Sequence, residues 1–340
     1  MASILQYYHP PEPLITECGD SINLTIAYAT YGTLNSEKSN AVWVCHALTA
    51  NALVHDWWPG FIDDEGVIST RDHYIVCANI IGSCYGTTGP LSIDDKNGKL
   101  YLHHFPLITI RDMVKAHTLL RKHLGVEKIC LLAGGSMGGY QVLEWALSEP
   151  TIIERLLLLA TSAAESPWGI AIHEAQRMAI EADSTWRSRQ KDGGVAGLKA
   201  ARAIGMLTYR NYASFAAHQA DKDTERIDGF RAASYQQHQG AKLAKRFNAY
   251  SYWTLTKAMD THNIARGRAG STQEALKLIV QPSLIIGISS DILCPVQEQR
   301  LLAAGITDAT LIEIDSPYGH DGFLVEVQTI RESLYKWLKF

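Results

Sequence analysis

The chain has 340 residues, a formal net charge of −4, 46% hydrophobic residues and 19% charged residues. That balance belongs to a globular protein with ample core, and it excludes two classes of function. No long basic run marks a nucleic-acid partner, and no apolar run approaches the roughly 20 residues that a membrane span needs. The length fits two domains, or one large α/β domain with an insertion. The six cysteines (Cys18, Cys45, Cys77, Cys84, Cys130, Cys294) contain no C-x-x-C pair. Several lie in strand-like apolar runs, where a thiol acts as a small hydrophobe. The N-terminus lacks a charged-then-apolar signal pattern. The expected location is therefore a reduced cytoplasm.

In chain order, the alternation of Ile22, Leu24, Ile26 and Tyr28 predicts a hairpin of early strands between Leu14 and Tyr31. Ala41–Cys45 reads as a buried strand ending at His46-Ala47-Leu48-Thr49-Ala50. The Trp57-Trp58 pair reads as a core or loop anchor. Tyr74–Asn79 is the next strand, followed by a long loop of Gly, Ser and Thr from Gly82 to Pro90. Thr109–Leu124 has helical periodicity and stops at Gly125. Ile129–Ala133 is a strand running into Gly134-Gly135-Ser136-Met137-Gly138, a G-x-S-x-G match. A helix with Tyr140, Leu143 and Leu147 on one side follows it and cannot pass Pro150. Leu156–Leu159 is another strand.

From about Pro167 the alternation of strands and helices stops. Helical patterns cover 173–182, 196–207, 212–219, 230–239, 241–247 and 251–260. Strand rhythm resumes with Ser283–Ile288 and Thr310–Ile314, and Phe323–Leu338 reads as one amphipathic closing helix. Alternating strands and helices predict a mostly parallel sheet. The expected division is a core of residues 1–166 and 276–340 with an inserted helical cap over 167–275.

Strand, tight glycine turn and helix are the context that a nucleophile elbow requires. Asp291 and His320 follow Ser136 in chain order, each just after a predicted strand on the same sheet edge. A serine hydroxyl is a weak nucleophile until an imidazole takes its proton. A carboxylate must then hold that imidazole in the right tautomer. Two backbone N–H groups must meet the developing oxyanion, and the candidates are those of Met137 and Leu48. Asp291 is also placed to cap the helix after Pro295. Asp315 is a rival acid that lies too near His320 in sequence for the usual topology. No H-E-x-x-H or clustered ligand set suggests a metal.

With these residues in place, the chain resembles the homoserine O-acetyltransferase family of α/β-hydrolase-fold acyltransferases. The resemblance rests on Tyr31-Gly32-Thr33-Leu34-Asn35, Cys45–Thr49, Asn79–Pro90, Thr109–Val114, Gly134–Gly139 and Glu144-Trp145-Ala146. It continues with Glu174-Ala175-Gln176-Arg177, Leu207-Thr208-Tyr209-Arg210, Ser289-Ser290-Asp291 and Gly319–Glu326. It implies an α/β-hydrolase fold and a ping-pong transfer of acetyl from acetyl-CoA, a co-substrate, to L-homoserine in methionine biosynthesis. No cofactor is implied. By the family pattern Arg210 would hold the amino acid's carboxylate and Asp321 its ammonium, whereas on the residues alone Arg210 reads as a solvated arginine. The resemblance also implies a homodimer formed through the caps. Ala50 stands where glycine is expected, beside the oxyanion turn, and leaves acetyl and succinyl transfer unseparated. A serine acceptor and plain ester hydrolysis remain alternatives. Arg266 and Arg268 are available cations that no spacing singles out for CoA.

Overall fold

A computed structural model describes residues 4–64 and 66–339. Among these, eight strands form one sheet: β1 (Gln6–Tyr8), β2 (Ile26–Tyr31), β3 (Ala41–Cys45), β4 (Tyr74–Ala78), β5 (Ile129–Gly135), β6 (Leu156–Leu159), β7 (Ser283–Ile288) and β8 (Ala309–Ile314). Their spatial order is β1-β2-β4-β3-β5-β6-β7-β8. β1 and β2 pair antiparallel, β2 pairs antiparallel with β4, and every pairing from β4 onward is parallel.

The inner parallel strands are covered on both faces, so their sequences are nearly unbroken apolar runs, whereas the edge strand β8 is half-exposed and carries Thr310 and Glu313. In β3, Ala41, Trp43 and Cys45 enter one hydrophobic cluster, while Val42 and Val44 enter the other. The strand's period of two distributes its side chains this way. The first cluster is closed by α1 (Ile110–His123) and α2 (Met137–Ser148), with Met113, Leu120, Leu143 and Trp145 against the sheet. The second is closed partly by α9 (Val327–Leu338) through Ile330 and Leu334. Thr109 starts α1 with a capping box: its hydroxyl accepts from Asp112 N–H, and the Asp112 carboxylate accepts from Thr109 N–H at 3.0 Å. Such a cap contributes about 1 kcal/mol.

Between β6 and β7 the chain forms α3 (Pro167–Glu181), α4 (Val195–Tyr209), α5 (Tyr212–Gln219), α6 (Arg231–Ala244) and α7 (Ala249–Asp260). α8 (Val296–Gly305) then connects β7 to β8.

Three local expectations change. Among the described residues Leu14–Ile15 pairs only with Ser21–Ile22, and Ile26–Tyr31 joins the main sheet instead of that hairpin. The two helices expected over 230–247 are one helix, α6, running through Gly240. A Cβ on Gly240 would meet the Lys199 backbone at 2.7 Å, so this glycine permits α4 and α6 to approach and does not stop the helix. The closing segment breaks at Glu326 into a turn, Gly322–Val325, and α9.

Candidate active site

β5 delivers Ser136 and α2 begins immediately behind it. Ser136 has φ +54°, a left-handed conformation that costs a non-glycine residue on the order of 1–3 kcal/mol. Contacts beneath the elbow hold the strain. A Cβ on Gly138 would land inside contact distance of the Cys45 carbonyl oxygen, so the elbow rests directly on the end of β3. The Thr161 hydroxyl donates to the Ser136 carbonyl at 2.9 Å.

The structure brings Ser136, His320 and Asp291 together. His320 Nε2 lies 2.9 Å from Ser136 Oγ, and His320 Nδ1 lies 2.6 Å from Asp291 Oδ2. Asp291 Oδ1 accepts the backbone N–H groups of Leu293 at 2.8 Å and Cys294 at 2.9 Å, which fixes the carboxylate plane. It caps no helix, since α8 starts behind Pro295. Asp315 instead accepts from the Ser289 hydroxyl at 2.9 Å. Burial alone would lower the pKa of His320, but the charge and hydrogen bond of Asp291 outweigh it and raise the value above 6.5.

The oxyanion candidates also meet. Residues 47–50 form a turn closed by Ala50 N–H to the Ala47 carbonyl at 3.0 Å. Among the described residues, neither Leu48 N–H nor Met137 N–H has a protein acceptor. The contact between Gly138 and Cys45 places these two backbone segments side by side.

A cavity of about 490 Å³ opens over Ser136 and His320. Its wall includes Leu48, Trp57, Gln176, Arg202, Tyr209, Met259 and Asp321, with Lys242 and Arg246 also contributing. Helices α3, α4, α6 and α7 supply Gln176, Arg202, Lys242 and Met259. Arg210 is not in that wall; its guanidinium pairs with Asp321 at 3.3 Å. Burial raises the pKa of Asp321, and Arg210, His320 and Arg202 oppose that rise. Arg202 lies 5.1 Å from the centroid of the Tyr209 ring, and that ring is 6.0 Å from His320.

Arg202 is a cavity-lining cation that the sequence does not single out. It stands two helical turns before Tyr209, so the i, i+7 spacing puts it on the motif's own face. Trp57 is a cavity residue as well as an anchor, while the buried Trp58 stacks on Phe61 at 3.6 Å. Arg266 and Arg268 lie elsewhere, paired with Glu17 at 2.7 Å and Glu144 at 2.5 Å. Among the described residues no group of His, Cys, Asp and Glu is placed to hold a metal. None of their helices is long and apolar enough to cross a membrane.

Residues 40–327 match the family model of the alpha/beta hydrolase fold. With a serine, a histidine and an aspartate converging at strand ends, this chain is an α/β-hydrolase-fold enzyme. An acetylester hydrolase from Corynebacterium glutamicum superposes with a TM-score of 0.88 at 21% identity, covering 99% of this chain and 96% of that one. A homoserine O-acetyltransferase from Bacillus anthracis superposes with a TM-score of 0.93 at 23% identity, covering 100% and 98%. At such identities the likeness is one of fold alone. The homoserine O-acetyltransferase of Cyclobacterium marinum is 46% identical over 334 residues, 97% of this chain and 95% of that protein. The chain belongs to the homoserine O-acetyltransferase family.

Proposed function

We propose that the protein transfers acetyl from acetyl-CoA to the hydroxyl of L-homoserine through an acetyl-Ser136 intermediate. The observation that carries this reading is the 2.9 Å and 2.6 Å hydrogen-bonded line from Ser136 through His320 to Asp291, set beneath a cavity in a chain of this family. Ser136 Oγ attacks the thioester carbonyl while His320 Nε2 takes its proton. The oxyanion gathers at the N–H groups of Leu48 and Met137. Collapse breaks the C–S bond, and His320 returns the proton to the leaving thiolate. The homoserine hydroxyl then gives its proton to His320 and attacks the acetyl carbonyl, and the second collapse breaks the C–Oγ bond while His320 returns the proton to Ser136 Oγ. Residues 167–275 act as a cap on the core of residues 1–166 and 276–340, and they keep water from the acyl-serine.

The acceptor's carboxylate is assigned to Arg202, which lines the cavity, in place of Arg210. Asp321 takes the ammonium, and Arg210 holds Asp321 in its charged form. A guanidinium forks onto a carboxylate in a way that suits this exchange of roles. Lys242 and Arg246 supply cations toward the CoA phosphates. The exposed Leu207, Tyr212 and Ile227 on and after α4 and α5 suit a homodimer through the cap. Six unpaired cysteines suit the cytoplasm. The test is thiol release from acetyl-CoA and, separately, succinyl-CoA, with and without homoserine, with products identified by mass. Homoserine-dependent O-acetylhomoserine supports the proposal. O-succinylhomoserine overturns the donor, and free acid formed without homoserine makes the protein a hydrolase.

A further inference from the structure

Gln141 lies in α2, one turn after Met137, and is fully buried. Its Nε2 donates to two backbone carbonyls, that of Met137 at 3.2 Å and that of His46 at 3.3 Å. Its Oε1 faces His117 Nε2 at 2.9 Å. The opposite amide orientation would set an oxygen against two carbonyl oxygens, so chemistry fixes this one. His117 must then carry its proton on Nε2. Burial lowers the pKa of His117 to about 4, which keeps the ring neutral with one N–H to give. Its Nδ1, which has no partner among the described residues, is therefore a bare lone pair and not a stranded donor.

One side-chain amide thus ties the first turn of the elbow helix to the end of β3. These are the two segments that carry Met137 N–H and Leu48 N–H. On the Leu48 side His46 completes the hold. Its pKa is lowered to about 4 by burial, its Nε2 accepts from Ile80 N–H at 3.3 Å, and its Nδ1–H donates to the Ala47 carbonyl at 2.9 Å. The Ala47 carbonyl and Leu48 N–H belong to one peptide plane and point in opposite directions. Holding the carbonyl therefore aims the N–H.

We infer that Gln141 is a positioning residue that sets the spacing between the two halves of the oxyanion hole, with His117 orienting its amide. This rests on the roles proposed above for Ser136, Leu48 and Met137. Outright removal of one oxyanion donor costs about 10²–10³ in kcat. Loosening both without removing either is expected to cost about 10- to 100-fold.

The test is Gln141→Leu in the full-length protein, assayed for thiol release from acetyl-CoA and for acetyl transfer to homoserine. Both steps build an oxyanion, so both rates should fall together while KM for homoserine stays constant. A boronic acid that forms a tetrahedral adduct on Ser136 should lose affinity in proportion to kcat/KM, a readout that a merely structural role would not move. The acid limb of the pH–rate profile should stay in place, because the Gln141 network carries no charge. His117→Phe keeps the stacking on Trp145 (5.4 Å) and should give a smaller loss of the same kind, and it serves if Gln141→Leu does not fold. A folded variant with unchanged rates, or slowed rates with undiminished boronate affinity, overturns the inference. If the wild type ignores homoserine, the acceptor assignment fails by itself, and thiol release with boronate binding still decides the role of Gln141.

Discussion

Replacing Asp291 by asparagine tests how the triad is wired. The two backbone N–H groups of Leu293 and Cys294, at 2.8 and 2.9 Å from Oδ1, need an acceptor. They therefore hold the asparagine oxygen in the Oδ1 position and turn its NH₂ toward His320 Nδ1. That NH₂ is a donor, so His320 must offer Nδ1 as an acceptor and carry its proton on Nε2, the nitrogen 2.9 Å from Ser136 Oγ. An imidazole in this tautomer cannot take the serine proton. The equivalent change in a serine-protease triad lowers kcat about 10⁴-fold. At 1.36 kcal/mol per tenfold that is roughly 5.5 kcal/mol of transition-state stabilisation. The assay is stopped-flow thiol release from acetyl-CoA across pH. In the wild type, His320 is held above 6.5 by Asp291 against the lowering effect of burial, so the acid limb should lie above 6.5. Without the Asp291 carboxylate, burial is opposed only by the weaker pull of Asp321 and Glu165, and the residual activity should show its limb at lower pH. A variant that keeps a tenth or more of wild-type activity, or a limb that does not move, would refute the wiring.

Arg202→Met should raise KM for homoserine about 10- to 100-fold, the value of a charge-assisted hydrogen bond, while leaving acyl-enzyme formation intact. Arg210→Met should have a smaller effect that grows as pH falls, because Asp321 loses the cation that opposes its raised pKa. Equal effects from the two variants would contradict the exchange of roles. Gly138→Ala drives a methyl into the Cys45 carbonyl; overpacking of this kind costs about 1–3 kcal/mol, and thermal melts should show it together with near-complete loss of activity. Burial lowers the pKa values of His46, His117 and His262 to about 4, 4 and 3 from 6.5. The unfolded chain binds protons there that the folded one refuses. Stability is therefore full above about 6.5 and falls toward pH 4, by on the order of 3 kcal/mol per histidine. Urea melts at pH 7.5 and 4.5 should show this loss, and His117→Phe should flatten it.

The central sheet was legible because its inner parallel strands are buried on both faces and so read as short apolar runs, as in Ala41–Cys45 and Leu156–Leu159. The meeting of Ser136, His320 and Asp291 could be anticipated because each follows a strand of the sheet. Less local features were not legible. Ile26–Tyr31 alternates like a hairpin strand, and nothing within it names β1 and β4 as its neighbours. Gly240 looks like a stop signal, yet its meaning lies in the Lys199 backbone across the helix pair. Arg210 carries a family-like motif and pairs with Asp321, while nothing local to Arg202 says that it lines the cavity from inside α4. Gln141 reads as one polar residue in an apolar helix, and its role exists only where α2, β3 and His117 meet.

The central claim is an acetyl-Ser136 intermediate that homoserine, not water, discharges. Its most direct test is the intact mass of the protein after brief mixing with acetyl-CoA alone, and again after homoserine is added. The account predicts a gain of one acetyl group, absent in Ser136→Ala, that survives in buffer and disappears on adding homoserine as O-acetylhomoserine forms. No adduct in the wild type, or an adduct that water removes as fast as homoserine does, would contradict it.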